Sequence, residues 1–447
     1  MKSKRSPLRV SLHPRINYNY NTSHLYRAKS TSVEKHHVLP PHSLLPTKML
    51  WRSLLVATIS SHPRLLSTSL SLLTHITHPR FFLLDVNKNP ILRSILKTTF
   101  YNHFCAGENG REVTATIGRI KDMGFRGVIL TYAKEVVDAD ETAKEGIQSE
   151  KESLNTEIEA WRQGVLQTVE MVGDGDFLAL KFTGAGPLAT QALASNKPLP
   201  GQMMSALREI CTRAIQRNAR IFIDAEQTSV QPGIDAVALD LMRLYNRDGA
   251  ATVYNTYQAY LKSTPSNLLS HFDIAEKEGF TIGVKLVRGA YINSEPRRLI
   301  NDTKSDTDDS YNSIAGGILT RQYGPFGRER AFPPTDLFLA THNKESALTA
   351  HELYQHRLST REPTTKVQYG QLMGMADEVS CRLLQLKSDG KASPEVYKCL
   401  SWGTLSDCLA YLTRRAVENR DAVGRSKQEY TALKTEVKRR IMSYFKS

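Results

Sequence analysis

The feature that most constrains this chain is a regular alternation of short apolar runs with amphipathic segments, which continues through most of its 447 residues. Runs of β-branched and apolar residues predict strands, and apolar residues spaced three and four apart predict helices between them. The predicted strands lie at 126–132, 178–184, 220–226, 251–258, 281–291, 336–343, 365–372 and 396–403. Because parallel strands need helical crossovers, eight such repeats favour a (β/α)8 TIM barrel. An open doubly wound sheet is the alternative, but no G-x-G-x-x-G follows the first strand.

Composition divides the chain into three parts. We predict a mitochondrial targeting or disordered segment at 1–45, an N-terminal helical preamble at 46–100 and the barrel at 101–435. Residues 1–84 contain twelve Lys or Arg and one acidic residue, a net charge of +11 out of +14 for the whole chain. A basic leader that is rich in Ser and Thr and poor in acids is typical of mitochondrial targeting sequences. Since most of the excess charge lies in residues 1–84 and the remainder of the chain is only +3, we expect no nucleic-acid partner.

The sequence also argues against a transmembrane helix, a disulfide framework and a metal site. No apolar run reaches the roughly 18 residues that a membrane helix needs, so we expect any membrane contact to be peripheral. The amphipathic stretch 49–75 is a candidate for such contact. The five cysteines are scattered, without metal-ligand spacing, and predict neither a disulfide framework nor a metal site.

Polar residues close several of the predicted strands. In a barrel the active site lies at the carboxyl ends of the strands. Any one polar strand end can be satisfied by a neighbouring loop, but five strands that end in this way predict a functional site. The residues concerned are Lys181, Asp224 with Glu226, Gln258, Lys285 with Arg288, and His342 with Asn343.

The last predicted helix of the barrel carries the sharpest pattern. Tyr411, Arg414, Arg415 and Glu418 fall at i, i+3, i+4 and i+7, on one helical face. A solvated surface helix also explains paired arginines. Guanidinium groups bind carboxylates in two-point geometry, however, so the pair suggests a clamp for the carboxylate of a small amino or imino acid. Lys181 is then a third cation.

Eight motifs taken together resemble the proline dehydrogenase family, in the single-function mitochondrial form of fungi. The resemblance covers about residues 50–430, and its motifs follow in the family's order. Each motif alone is weak, whereas their conjunction is specific. They are FYNHFCAGEN, KFTGAG, FIDAEQ, NTYQAYLK, VKLVRGAY, LATHN, YGQLMGMAD and YLTRRAVEN.

The resemblance implies a distorted (β/α)8 barrel with an N-terminal helical extension and a non-covalently held FAD. It implies oxidation of L-proline to Δ1-pyrroline-5-carboxylate by hydride transfer to the flavin N5, the first step of proline catabolism to glutamate. Electrons then pass to ubiquinone, which implies peripheral contact with the matrix side of the inner mitochondrial membrane.

The resemblance also assigns residues to roles. Glu108 resembles the acid that pairs with a substrate arginine and closes the site. The residues that resemble the substrate pocket are Lys181, Arg414 and Arg415, which hold the carboxylate, and Asp224, Leu286, Tyr291 and Tyr411, which form the remaining wall. The residues that resemble contacts to the flavin or its adenosine are Lys285, near N5, with Gln258, Arg288, Thr341, His342, Asn343 and Glu418.

Three alternative functions remain open from the sequence. Cys399 stands where the family commonly has a pocket tyrosine, and a smaller residue there leaves room for 4-hydroxyproline as substrate. A Schiff-base aldolase or lyase can use a strand lysine whose pKa is lowered by burial, with Lys181 or Lys285 as the nucleophile. A basic binding protein for nucleic acid or acidic lipid is the non-enzymatic alternative, and the charge distribution disfavours it.

Overall fold

Eight parallel strands form a closed barrel within the residues that the structure, a computed structural model, describes. Those residues are 39–133 apart from 78 and 80, 155–386, 393–418 and 423–445, without the side chains of 414, 415, 417, 418 and 423–426. Neighbouring strands follow one another in chain order, and β8 pairs with β1 to close the ring. The (β/α)8 barrel predicted from the sequence is therefore confirmed. The strands are β1 Gly127–Tyr132, β2 Phe177–Leu180, β3 Arg220–Ile223, β4 Val253–Gln258, β5 Ile282–Val287, β6 Thr335–Ala340, β7 Val367–Leu372 and β8 Glu395–Trp402.

The predicted strands extend too far at several carboxyl ends. The run predicted at 178–184 stops at Leu180, and the run predicted at 281–291 stops at Val287. The apolar pattern continues past these points, but the ladder ends where the chain turns towards the next helix. Lys181, Asp224 and Arg288 consequently lie just beyond their strands, at the rim of the barrel.

Helices precede, surround and follow the barrel. Before the barrel, the helices of the described residues are α1 Thr47–Ser61, α2 Pro63–Thr77, α3 Pro90–Leu96, a π-helical turn Lys97–Tyr101 and α4 Asn102–Phe104. The helices of the barrel region are α5 Gly110–Asp122, α6 Thr156–Met171, α7 Pro187–Ala194, α8 Gly201–Gln216, α9 Gln231–Tyr245, α10 Thr264–Glu278, α11 Lys304–Leu319, α12 Lys344–Ser359, α13 Asp377–Gln385 and α14 Leu405–Glu418. The last helix is α15 Val423–Tyr444.

The division at residues 45 and 100 stays a prediction, because residues 1–38 lie outside the described part of the chain. The segment predicted as a helical preamble contains α1, α2 and α3. Leu50 and Ala57 of α1 pack against Leu433 and Val437 of α15. Across the described ranges, no helix is both long and apolar enough to cross a membrane.

Aromatic side chains fill the amino-terminal half of the barrel interior. Phe177 and Phe222 stack with their ring centroids 4.1 Å apart, and Tyr254, Phe338 and Tyr397 pack around them. The Arg220 guanidinium lies 4.1 Å from the Phe177 ring centroid and donates to the Tyr397 hydroxyl at 3.0 Å. This packed floor leaves the carboxyl-terminal rim as the face of the barrel where a ligand can enter.

A buried ion pair connects the outside of the barrel to the N-terminal helices. Lys398 Nζ lies 2.7 Å from Asp377 Oδ1, and both side chains are only 3% exposed. Ser53 of α1 donates to the other Asp377 oxygen at 3.3 Å. Burial raises the pKa of Asp377, but the charge of Lys398 and its hydrogen bond outweigh burial and hold that pKa below its usual range. Asp377 therefore stays ionised at neutral pH.

Removing one member of this pair should be costly. We expect Asp377→Asn to lower the free energy of unfolding by about 3 to 5 kcal/mol, because it leaves the Lys398 charge buried without its counter-ion. Glu378→Gln is the matched control, since Glu378 pairs with the half-exposed Lys344 and should cost less than about 1 kcal/mol. Urea unfolding followed by circular dichroism measures both values. Equal costs for the two variants would contradict this account.

Candidate active site

Three charged side chains meet at the rim of the barrel. Lys285 points inwards from β5, since its Nζ lies 4.8 Å from the ring centroid of Phe222. It donates to Asp224 Oδ1 at 2.6 Å, across the end of β4. Lys181 is the first residue after β2, and β2 pairs with β3. The structure thus brings together three of the residues that the sequence predicted as a site.

Cys399 lies among these charges. Its side chain packs against the aromatic interior of the barrel, and Lys285, Asp224 and Lys181 all act on it electrostatically. Burial raises the pKa of the Cys399 thiol to about 11, with Asp224 acting in the same direction and the two lysines opposing it. The thiol is therefore protonated at neutral pH and forms a small, neutral part of the wall.

The helix α14 reaches over the same rim. Lys181 Nζ lies 5.9 Å from the ring centroid of Tyr411, which is within the range of a cation–π contact. The backbone of α14 extends to Glu418. The side chains of Arg414, Arg415 and Glu418 lie outside the described residues, so their predicted roles stay predictions.

Glu226 organises the loop that carries Lys181, a role that the sequence did not indicate. Its buried carboxylate accepts from the backbone N–H of Phe182 at 2.9 Å and from the Thr183 hydroxyl. Gln258 at the end of β4 donates to the Glu226 carbonyl at 3.0 Å. Burial raises the pKa of Glu226, partly opposed by the bonds from Thr183. The one sequence signal was its position at a polar strand end.

Arg288 joins four elements at the rim. It donates to Asp308 of α11 at 2.8 Å, to the Thr341 hydroxyl after β6 at 2.7 Å and to Ser346 of α12 at 2.9 Å. Its guanidinium also lies 4.3 Å from the Tyr311 ring centroid. Two of the predicted cofactor contacts, Arg288 and Thr341, are therefore neighbours, and they form part of a network within the protein.

His342 and Asn343 connect the end of β6 to the elements that follow. The His342 Nε2 atom accepts from the Leu372 N–H at 3.1 Å, so the proton of a neutral ring resides on Nδ1. Asn343 is the N-cap of α12, since its Oδ1 accepts from the Ser346 N–H at 3.1 Å. The amino end of a sixteen-residue helix thus lies beside Thr341 and Arg288.

The segment after β5 requires a glycine. Gly289 has φ +148°, and a Cβ there would lie 2.2 Å from a ring atom of Tyr260. Tyr291 follows, and its carbonyl accepts from the backbone of Ser294 at 3.0 Å. Leu286 is fully buried in the core cluster that also contains Tyr257 and Tyr311. This placement favours a core role for Leu286, and its predicted place in the substrate wall stays a prediction.

Glu108 is the centre of a second network. Its carboxylate accepts from Arg93 of α3 at 2.7 Å, from Lys97 at 2.7 Å and from the Leu405 N–H at the start of α14 at 3.0 Å. Burial raises the pKa of Glu108, but the bonds from Lys97 and Leu405 outweigh it and hold the pKa below its usual range. Glu108 therefore attaches the N-terminal helices to the helix that carries Tyr411. The predicted pairing of Glu108 with a substrate arginine stays a prediction, because those side chains lie outside the described residues.

The fold and the rim together define a (β/α)8 barrel with a charged candidate site at the carboxyl ends of its strands. Among known proteins, the proline dehydrogenase family model matches residues 113–428. The probable mitochondrial proline dehydrogenase of Schizosaccharomyces pombe is 31% identical over 396 residues, covering 77% of this chain and 80% of the relative. The chain belongs to the proline dehydrogenase family, and it is an oxidoreductase of that family.

Three further similar proteins either are much longer than this chain or are named for a different activity. Mitochondrial proline dehydrogenase 1 of Caenorhabditis elegans is 36% identical over 54% of this chain, which spans 38% of that relative. Hydroxyproline dehydrogenase of mouse is 27% identical over 78% of this chain and 83% of its own length. The proline utilization A structure of Bdellovibrio bacteriovorus superposes with a TM-score of 0.62 at 16% identity, covering 84% of this chain and 38% of that one. This last likeness concerns the fold alone.

The Glu108 network yields a pH-dependent prediction. The lowered pKa of Glu108 means that its contribution to stability is present at neutral pH and is lost as the pH falls through its folded-state pKa. We expect Glu108→Gln to lower the free energy of unfolding by about 2 kcal/mol at pH 7, since hydrogen bonds to a charged group are lost, and to cost less at about pH 4, below the ordinary pKa of a glutamate. Urea unfolding at the two pH values measures this. The exposed Glu329, changed to Gln, is the control, and a pH-independent cost at Glu108 would count against the network.

Proposed function

We propose that this chain oxidises L-proline to Δ1-pyrroline-5-carboxylate with a non-covalently bound FAD and passes the electrons to ubiquinone. The observation that carries the proposal is the meeting of Lys181, Asp224 and Lys285 around Cys399 at the rim of a barrel, in a chain that the proline dehydrogenase model matches over 113–428. In this function the chain performs the first step of proline catabolism to glutamate.

The residues at the rim fit FAD in the chemistry of their donors. Arg288, Thr341 and the amino end of α12 offer a guanidinium, a hydroxyl and backbone N–H groups beside one another, and helix N-termini with cations suit phosphate groups. The proposed cofactor contacts are Gln258, Lys285, Arg288, Thr341, His342, Asn343 and Glu418. Bound FAD would accept a hydride from the substrate, and Lys285 is the residue proposed to contact its redox-active ring.

The chain's own residues bind and orient the substrate. Lys181, with Arg414 and Arg415, would hold the proline carboxylate, because clustered cations match a carboxylate in charge and geometry. Asp224 fixes the Lys285 ammonium through the 2.6 Å hydrogen bond, so that its charge keeps one position. Tyr411 over Lys181, with Tyr291 and Leu286, would complete the wall. A substrate fixed in this way presents one face of its ring, which supplies the orientation that the reaction needs.

The proposed location is the matrix side of the inner mitochondrial membrane. The basic, acid-poor leader is typical of mitochondrial targeting, and the Schizosaccharomyces pombe and Caenorhabditis elegans relatives are named mitochondrial. Ubiquinone is dissolved in the bilayer, so its use as electron acceptor would require peripheral contact with that membrane.

The first test is an anaerobic visible spectrum of the purified chain before and after L-proline. We expect a flavin band that bleaches with L-proline.

We also expect Lys181→Met to raise the half-saturating proline concentration at least about tenfold, since one charge-assisted contact to the carboxylate is lost. Lys262→Met is the matched control, because Lys262 pairs with Asp302 on the surface and its loss should leave the titration unchanged. A chain that neither retains FAD nor can be reconstituted with it would overturn the proposal.

A second candidate substrate is 4-hydroxyproline. It is favoured by the small Cys399 side chain among the charged residues of the rim and by the similarity to mouse and bovine hydroxyproline dehydrogenases. The lysine lyase is not carried further. Lys285 forms an ion pair with Asp224, and the family model that matches the chain is that of a dehydrogenase and not of a lyase.

Substitution of Cys399 separates the two substrates. We expect Cys399→Tyr to shift the ratio of kcat/KM values towards L-proline and away from trans-4-hydroxy-L-proline by about tenfold or more, since the phenol fills the space of the extra hydroxyl. Cys399→Ser, which keeps the volume, should leave the ratio nearly unchanged. Steady-state rates with a soluble dye as acceptor measure both. An unchanged ratio in the tyrosine variant would show that Cys399 does not face the substrate ring.

A further inference from the structure

A group of large apolar side chains is exposed between residues 81 and 95. Phe81 is 71% exposed, Phe82 64%, Leu83 71%, Ile91 73% and Ile95 54%. We refer to these five residues as the 81–95 surface. Soluble proteins rarely expose several large apolar residues close together, and such patches usually mark a surface that binds something.

The 81–95 surface is held in a defined shape. Asn89 donates to the Leu83 carbonyl at 2.8 Å and caps α3 by accepting from the N–H of Ile91 at 3.1 Å. The side chain of Asn89 thus holds the 3₁₀ turn Phe82–Leu84 beside the start of α3. The exposed residues therefore form one structured surface.

Helix α3 has an apolar face that the protein buries only in part. Leu92 and Leu96 pack inwards against a cluster that contains Leu405 and Leu409 of α14. Ile91 and Ile95, one turn apart, face outwards. Because residues 91 and 92 are about 100° apart around the helix axis, the two pairs together form one continuous apolar face. Helix α14 covers the inner part of this face, and the outer part, Ile91 and Ile95, is exposed.

The charges around the surface indicate the kind of partner. Between Glu34 and Glu108 the sequence contains one acidic residue, Asp85, and its side chain is only 15% exposed beside Lys88. The described cations from Arg64 onwards in this interval are Arg64, Lys88, Arg93 and Lys97, and of these Arg93 and Lys97 pair with Glu108. Exposed apolar side chains in a segment that is poor in acidic residues and carries an exposed cation, here Lys88 at 65% exposure, are typical of proteins that bind an anionic lipid surface.

We propose that the 81–95 surface binds the face of an anionic phospholipid bilayer. The proposal rests on the proposed function in one respect, because an acceptor dissolved in the bilayer favours a membrane over a second protein as the partner. The surface is also connected to α14 by hydrogen bonds. Arg93, between Ile91 and Ile95, donates to Glu108, which accepts from the first N–H of α14. Docking at α3 would thus place the bilayer beside the helix that covers the substrate site.

A local probe tests this in the full chain, where the basic leader is also present. Phe82→Cys is labelled with a polarity-sensitive fluorophore; the described native cysteines are buried except for the partly buried Cys399. Phe445→Cys is the matched control, since Phe445 is 81% exposed at the far end of the chain. Vesicles of phosphatidylcholine with cardiolipin should shift the emission of the label at 82 to the blue, and brominated lipid should quench it, whereas the label at 445 should not respond. A high salt concentration should weaken the response.

A second variant measures affinity. Phe81→Ser, Phe82→Ser and Leu83→Ser combined should weaken vesicle binding at least about tenfold relative to Phe445→Ser, because three inserted apolar side chains are lost. The rate with a soluble dye acceptor should remain unchanged, which shows that the variant is folded. A label at 82 that stays in water while the chain floats with vesicles would overturn the proposal, as would a blue-shifted label without lipid in a chain that sediments as a dimer. Failure to oxidise proline with vesicle binding intact would instead reject the proposed function alone.

Discussion

The structure depends on the ladder between β1 and β8, which closes the barrel. Six residue pairs join the two strands, from Gly127 with Tyr397 to Tyr132 with Trp402. Because all strands are parallel, this closure places every carboxyl end on one rim, and residues more than a hundred positions apart in sequence become neighbours. Within β8 the alternation of side chains serves three purposes. Tyr397 belongs to the aromatic floor, Lys398 pairs with Asp377 outside the barrel, and Cys399 lies among the charges of the rim.

The ion pairs of this protein contribute differently according to their exposure to solvent. Asp377 and Lys398 are almost completely buried, so their pairing mainly holds α1 and the barrel wall together. Asp224 and Lys285 lie at the rim, where a ligand can approach, and their hydrogen bond holds an ammonium in place for it. Glu108 belongs to neither group. It connects Arg93, Lys97 and α14, so the segment before the barrel supports the helix that covers the site. The proposed lipid-binding surface lies on the outer side of that same segment.

Part of the candidate site was predictable, because a charged residue at the end of an apolar run is visible in the sequence. Lys181, Asp224 and Lys285 were found in this way, and the structure brings them together. The partners of Arg288 were not predictable, since Asp308, Thr341 and Ser346 come from three later elements. Glu226 shows a further limit. Its position was noticed, but its hydrogen bonds to the loop after β2 depend on the spacing between two adjacent strands. The placement of Leu286 in the core likewise follows from which side of β5 faces the barrel interior.

The sequence by itself determined the order and kind of the elements, because hydrophobic periodicity is a local property that each segment carries. It also determined the family, through the conjunction of motifs, and the uneven distribution of charge along the chain. Only the tertiary structure decided which polar residues face one another and which apolar residues stay exposed. Phe82 and Ile91 look like core residues in the sequence, yet both lie on the surface. The physical reason is that burial and hydrogen bonding depend on what the closed barrel places next to each residue, and no local pattern contains that information.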